Sequence, residues 1–143
     1  MDTQESLEMA ALCLSDDRLN FLDRSLWDVF RDPEDEAFTG CSLLDLFAGL
    51  DRGSVKQGVA GKISTLQVAD QAMDHNIDCI MLGCAAILQH DFPNRYVEDA
   101  CFTPVSLPVT RRYLEVEGLS VKFIDYMATW PGFVKDWTMN AAG

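Results

Sequence analysis

The chain has 143 residues, 48% of them hydrophobic, with a mean hydropathy near zero; this is enough apolar material for one ordinary core and excludes a disordered protein. Its 23 acidic residues outnumber 11 basic ones to give a net charge of −12, which repels phosphate backbones and anionic bilayer surfaces, so neither nucleic acid nor a membrane is an expected partner. Five cysteines, Cys13, Cys41, Cys79, Cys84 and Cys101, are odd in number and form no C-x-x-C pair, which predicts reduced thiols and a cytoplasmic setting.

Met1 to Glu5 lacks the basic segment and apolar core of a secretory signal, and the longest apolar stretch, Ile77 to Leu88, contains Asp78 and is too short for a bilayer. Asp2-Thr3-Gln4-Glu5 offers a capping-box-like start, and Leu7, Ala10, Ala11 and Leu14 follow helical spacing, predicting a helix over 3–16. Leu19 to Trp27 mixes alternation with bulky residues and predicts a strand ending near Ser25. The acidic segment Arg31 to Glu36, with Pro33 inside it, reads as a loop. Ser42, followed three residues on by Asp45, begins a second helix with Gly53 after its end.

The run from Val55 stops at Gly61 and the run from Ile77 stops at Gly83, with a helical stretch from Thr65 to Asn76 between them whose Leu66, Ala69 and Met73 share a face. Strand, helix and strand in that order predict a right-handed crossover with parallel strands, so both glycine turns lie side by side at the carboxyl edge. Small residues there let backbone N–H groups approach an anion, and a helix starting at Ser64 or Thr65 adds its positive end, which makes phosphate the expected guest; the alternative is a plain tight turn between strand and helix. After Pro93 the texture changes. Pro104 and Pro108 punctuate a tail with helices near 108–117, ending at Gly118, and 120–129, stopping before Pro131. The alternation of elements is that of a parallel α/β domain, and three such strands supply only part of the cover and edge neighbours that a buried parallel sheet needs.

Other candidates read as structural. Gly61-Lys62-Ile63-Ser64-Thr65 departs from a Walker A loop, because Lys56 stands at the first glycine position and Ile63 follows the lysine, so triphosphate hydrolysis is not expected. Cys79 reads as core, Cys84 as small-residue packing at a strand mouth, and His75 and His90 as surface or helix-end residues. Trp27 and Asp28 fall at a third strand mouth, where packing under a loop is expected, and Arg111-Arg112 reads as a solvated helix face. These residues make neither a catalytic constellation nor a metal cluster.

Four segments in order carry a family resemblance. Leu22 to Phe30 is similar to the sixth strand, Gly61-Lys62-Ile63-Ser64-Thr65 to the Gly-Gly-Ile-x-Thr turn after strand seven, Met81 to Ile87 to the Gly-Arg-x-x-Ile turn after strand eight, and Gly118-Leu119-Ser120 through Tyr126-Met127 to Trp130-Pro131-Gly132-Phe133 to a C-terminal tail, of the NADH:flavin oxidoreductases of the Old Yellow Enzyme family. The resemblance implies a partial TIM (βα)8 barrel, residues 1–100 forming strands six to eight with flanking helices and residues 101–143 a helical C-terminal tail. It further implies an FMN-binding portion of an enzyme that transfers hydride from NAD(P)H through FMN to an activated alkene.

The same resemblance implies that Gly61, Lys62, Gly83 and Cys84 are the cofactor-binding residues, holding the FMN phosphate, and that no catalytic residue lies in this segment. Lys62 stands where the second glycine is usual and Cys84 where an arginine grips the phosphate; loss of that fork removes roughly 1.5–3 kcal/mol, or about one to two decades in affinity. The implied partners are an N-terminal barrel half on another chain or a second copy of this one, with the segment inactive alone. The alternatives are a non-catalytic barrel remnant or interaction subunit with a degraded cofactor site, and a small α/β phosphate-binding domain unconnected with flavin.

Overall fold

The computed structural model describes residues 2–135; Met1 and residues 136–143 of the expected tail lie outside the described residues. Among the described residues it is a mixed α/β structure of seven α-helices and a three-stranded parallel sheet, divided into two compact units that meet in sequence between Gly83 and Cys84. Among the described residues no helix is long and apolar enough to cross a membrane.

In the first unit α1 (Thr3–Leu14) starts with a complete capping box, Asp2 accepting from the Glu5 amide and Glu5 from the Asp2 amide. It leads to β1 (Phe21–Ser25), a short 3-10 turn (Glu36–Phe38), α2 (Leu43–Ala48), β2 (Lys56–Ala60), α3 (Leu66–Met73) and β3 (Cys79–Met81). A second capping box, Ser42 with Asp45, opens α2, and the Thr65 hydroxyl accepts from the Val68 amide to open α3. The expected glycine stop of α2 moves: Gly49 closes the helix by donating to the Asp45 carbonyl, and Gly53 lies beyond it in a turn. The strands are also shorter than their apolar runs, because pairing covers only Phe21 to Ser25 against Lys56 to Ala60, and Gly58 to Ala60 against Cys79 to Met81.

The sheet order is β1-β2-β3, every pair parallel, so each strand lies beside its neighbour in sequence. Strand alternation sends Leu22, Val59 and Ile80 toward the helices, where they pack with Leu44, Phe47, Ala69 and Ala72 around a core in which Leu44 and Val59 have no exposed surface. The opposite face carries Phe21, Asp23, Ser25, Gly58, Cys79 and Met81. Gly58 is required there: a Cβ would meet the Phe21 ring at 2.7 Å, the Met81 terminal methyl at 3.1 Å and the Cys79 sulfur at 3.2 Å. Phe21, Asp23 and Ser25 on that face are exposed, and Cys79 and Met81 are half-buried. The helices therefore cover one face of the sheet far more fully than the other.

At the amino edge Asp78 ties the strands together. It accepts from Lys56 Nζ at 2.8 Å, from the Gln57 amide at 2.8 Å and from Arg52. These bonds, Lys56 first, hold its carboxyl down to about 2.

The second unit contains α4 (Cys84–Leu88), α5 (Phe92–Glu98), α6 (Arg111–Val116) and α7 (Val121–Ala128). Leu114, Ile124 and Met127 are fully buried with Leu88, Val109 and Phe133 around them. Thr110 and Ser120 cap the two tail helices, which match the expected pair in place and slightly shorter extent. Helices α4 and α5 were not expected: Pro93 sits in the first turn of α5, where its missing N–H breaks no helical bond.

Candidate functional site

The carboxyl edge of the first unit's sheet brings the predicted turns together. Because Ala60 pairs with Met81, Gly61 and the Leu82-Gly83 pair leave the sheet from adjacent strands. The exit of β1 is bonded to the same edge, with the Leu26 amide donating to the Ala60 carbonyl at 2.8 Å and the Val29 amide to the Gly61 carbonyl at 3.3 Å. Gly61, at φ +155°, is pressed against that exit: a Cβ would lie 3.1 Å from the backbone of Trp27, Asp28 and Val29. Lys62 follows in the left-handed region at φ +48°, and Trp27 adopts the same region at +57°.

The left-handed turn carries Lys62 to Asp28. Its Nζ lies 3.2 Å from Asp28 Oδ2, with the lysine side chain 61% exposed and the aspartate 31%. Asp28 also accepts from the Phe30 amide at 3.2 Å. The turn thus presents one cation already shared with a carboxylate. Gly83 is exposed, and a Cβ there would meet nothing within 4 Å, so the space beside this turn is open. Cys84, the first residue of α4, is exposed rather than packed as expected. For a phosphate group the first unit offers open space at Gly83, backbone approach at Gly61 and the Lys62 ammonium, without a guanidinium fork.

The remaining candidates separate from this edge or take structural roles. Trp27 is 73% exposed instead of lying under a loop, since its left-handed backbone turns the indole away from the core. Cys79 is half-buried on the sheet's less covered face, and burial with the nearby Asp23 and Asp78 charges raises its thiol above the usual range. His75 sits at the end of α3, 3.1 Å from Asp45 and with its ring 6.0 Å from that of Phe30. In the second unit His90, Asp91 and Glu117 bring ligand-type atoms within 4.8 Å of one another. Those atoms are already engaged: His90 Nδ1 is 2.7 Å from Glu117, and Arg95 Nε is 2.9 Å from both oxygens of Asp91. Burial pushes the Glu117 carboxyl up, but hydrogen bonds from His90 and Tyr113 outweigh it and leave it below the usual range. Arg111 pairs with Asp125, and Arg112 with Glu115 at 3.1 Å.

Two features were missed in the sequence. One is the pairing of Lys62 with Asp28 across two strand exits. The other is Arg24, which is 6% exposed on the helix side of β1. Its signal was available: in Leu22-Asp23-Arg24-Ser25-Leu26, strict alternation puts Arg24 on the side of Leu22 and Leu26. No protein-family model, curated protein or solved structure matches the chain.

Proposed function

We propose that this chain is the strand-six-to-eight portion of an FMN-dependent barrel of the Old Yellow Enzyme type, and that its turns after β2 and β3 receive the FMN phosphate. The single observation that supports this most is the sheet: three parallel strands in sequence order, helix-covered on one side, with Gly61 and Gly83 leaving adjacent strands at the carboxyl edge. A doubly wound α/β sheet carries helices on both faces, whereas a barrel segment adds each strand beside the last and keeps its helices on one side, as the packing of α1, α2 and α3 on a single face does here. The less covered face, with Phe21, Gly58, Cys79 and Met81, occupies the position of a barrel interior in this reading.

In this role the Gly61 and Gly83 backbones approach the phosphate and Lys62 supplies its charge. Cys84, in the arginine's position, supplies none. FMN, when bound, provides hydride transfer from NAD(P)H to an activated alkene. The ring and substrate contacts belong to strands one to five of such a barrel, whether these are joined to this segment or carried by a separate chain. The test is a titration of FMN followed by flavin fluorescence quenching, with the chain alone and with a polypeptide carrying those five strands. Quenching that grows when the halves are combined supports the proposal, and none in either case overturns it.

A second reading is a barrel remnant whose cofactor site has decayed. The Lys62–Asp28 pair and the exposed Cys84 favour it, since a phosphate would have to compete with Asp28 for the nearest cation. Cys84→Arg with Lys62→Gly separates the two: recovered FMN binding marks a damaged site, and stable hetero-association without recovery marks a remnant.

A further inference from the structure

A cavity of about 840 Å³ opens on the helix side of β1, lined by residues of the first unit alone. Met9, Cys13, Leu22, Leu26 and Phe47 form apolar wall, and Arg24 also lines it. The volume suits a small organic ligand.

Arg24 is the unusual member. It is 6% exposed, its guanidinium carbon lies 5.6 Å from the centre of the Phe47 ring, and its Nη2 donates to Gln57 Oε1. Its Nε and Nη1 and the Gln57 Nε2 have no hydrogen-bond partner among the described residues. All three orphaned atoms are donors, and the one acceptor between the two side chains, Gln57 Oε1, already receives Arg24 Nη2. A water molecule would bring donors of its own to an acceptor-free place; an anion brings acceptors alone. Burial, assisted by the positive charge of Arg52, lowers the guanidinium to about 10, which leaves it a cation at neutral pH.

The other charged lining residues limit what that anion can be. Arg31 is paired with Glu34, and Asp2, Asp23, Asp32 and Asp35 add carboxylates to the wall. A multiply charged phosphate would set several negative charges against these groups, whereas a monocarboxylate sets one, which Arg24 can match, and turns its apolar body to the apolar part of the wall. We propose that this cavity binds a small apolar monocarboxylate, whose carboxylate takes the unpaired donors of Arg24 and whose body lies against Phe47, Leu22 and Leu26. The unpaired nitrogens have no contact with solvent, so binding moves the guanidinium on its flexible stem toward the cavity it already lines. This site is independent of the FMN reading, because it involves none of the glycine-turn residues.

Benzoate is the probe, and benzyl alcohol, with the same ring and no charge, is its control. Binding is followed in the full chain through the side-chain Nε–H resonance of Arg24 and by isothermal titration. Benzoate should shift that resonance saturably, and benzyl alcohol should bind about tenfold more weakly or worse, the loss of one or more charge-assisted hydrogen bonds. Arg24→Met removes the buried charge and leaves Gln57 Oε1 without its donor, so it is paired with Arg24→Met/Gln57→Met, which removes the stranded amide as well; both, checked to be folded by circular dichroism, should lose about tenfold or more in benzoate affinity. An Arg24 resonance unmoved by benzoate, equal binding of the two probes, or benzoate affinity retained in either folded variant would each overturn the proposal.

Discussion

Lys62 and Asp28 leave different strands and meet at the sheet's carboxyl edge, Nζ to Oδ2 at 3.2 Å, because both Trp27 and Lys62 adopt left-handed backbone on either side of the contact. The pair neutralises the only basic side chain that the glycine turn after β2 offers to an anion. If the turn holds phosphate, Asp28 is its internal competitor. Asp28→Asn should therefore tighten FMN or inorganic phosphate binding by up to about fivefold, the range of a partly exposed ion pair, measured by isothermal titration. Unchanged or weaker binding would show that Lys62 does not face the ligand.

The two glycines should behave oppositely on substitution. Gly61→Ala drives a Cβ to 3.1 Å from three backbone atoms of residues 27–29 and should destabilise the fold by about 1–3 kcal/mol in urea denaturation. Gly83→Ala meets nothing within 4 Å and should change stability by about 0.5 kcal/mol or less. Its expected effect is on phosphate affinity, which separates a binding turn from a folding turn.

Asp78 makes stability depend on pH in a defined direction. Its folded carboxyl is held at about 2, below the ordinary 3.8, by Lys56, the Gln57 amide and Arg52. A depressed acid stabilises the fold above its unfolded value, and that contribution is lost as pH falls from near 4 toward 2. Asp78→Asn should lower the melting temperature by a few degrees at pH 7, and the gap to the unsubstituted chain should close across that acidic window. A gap independent of pH would show that the lost interactions are not ionic.

Leu44 tests the helix-covered core. It has no exposed surface and packs between α2 and the sheet, so Leu44→Ala should cost about 2–5 kcal/mol by urea denaturation. A cost well under 1 kcal/mol would mean that α2 is not firmly docked on the sheet.

Much of the fold was legible because its signals are local. Asp2 with Glu5 and Ser42 with Asp45 are reciprocal caps within four residues of sequence, while Thr65, Thr110 and Ser120 each cap the helix that follows. The two glycine turns were legible as apolar runs with a helix between them. Helix α4 was hidden because Cys84 to Leu88 continues the apolar run of β3, so its short helical period is indistinguishable from strand. Helix α5 was hidden behind Pro93, a helix breaker in an interior but acceptable in a first turn. Trp27 and the Lys62–Asp28 pair depend on left-handed backbone at non-glycine residues, which residue type does not announce. The burial of Arg24 follows from the packing of α2 over β1, a tertiary event that outweighs the usual exposure of arginine.

The most direct test compares FMN with riboflavin, which has the same ring system and no phosphate, by fluorescence titration of the unsubstituted chain and of Cys84→Arg, each combined with a polypeptide carrying strands one to five. FMN should bind more tightly than riboflavin, with Cys84→Arg widening the difference by about one to two decades while riboflavin affinity stays constant. Equal affinity for the two flavins in both proteins, or no binding of FMN to either, would contradict the FMN reading.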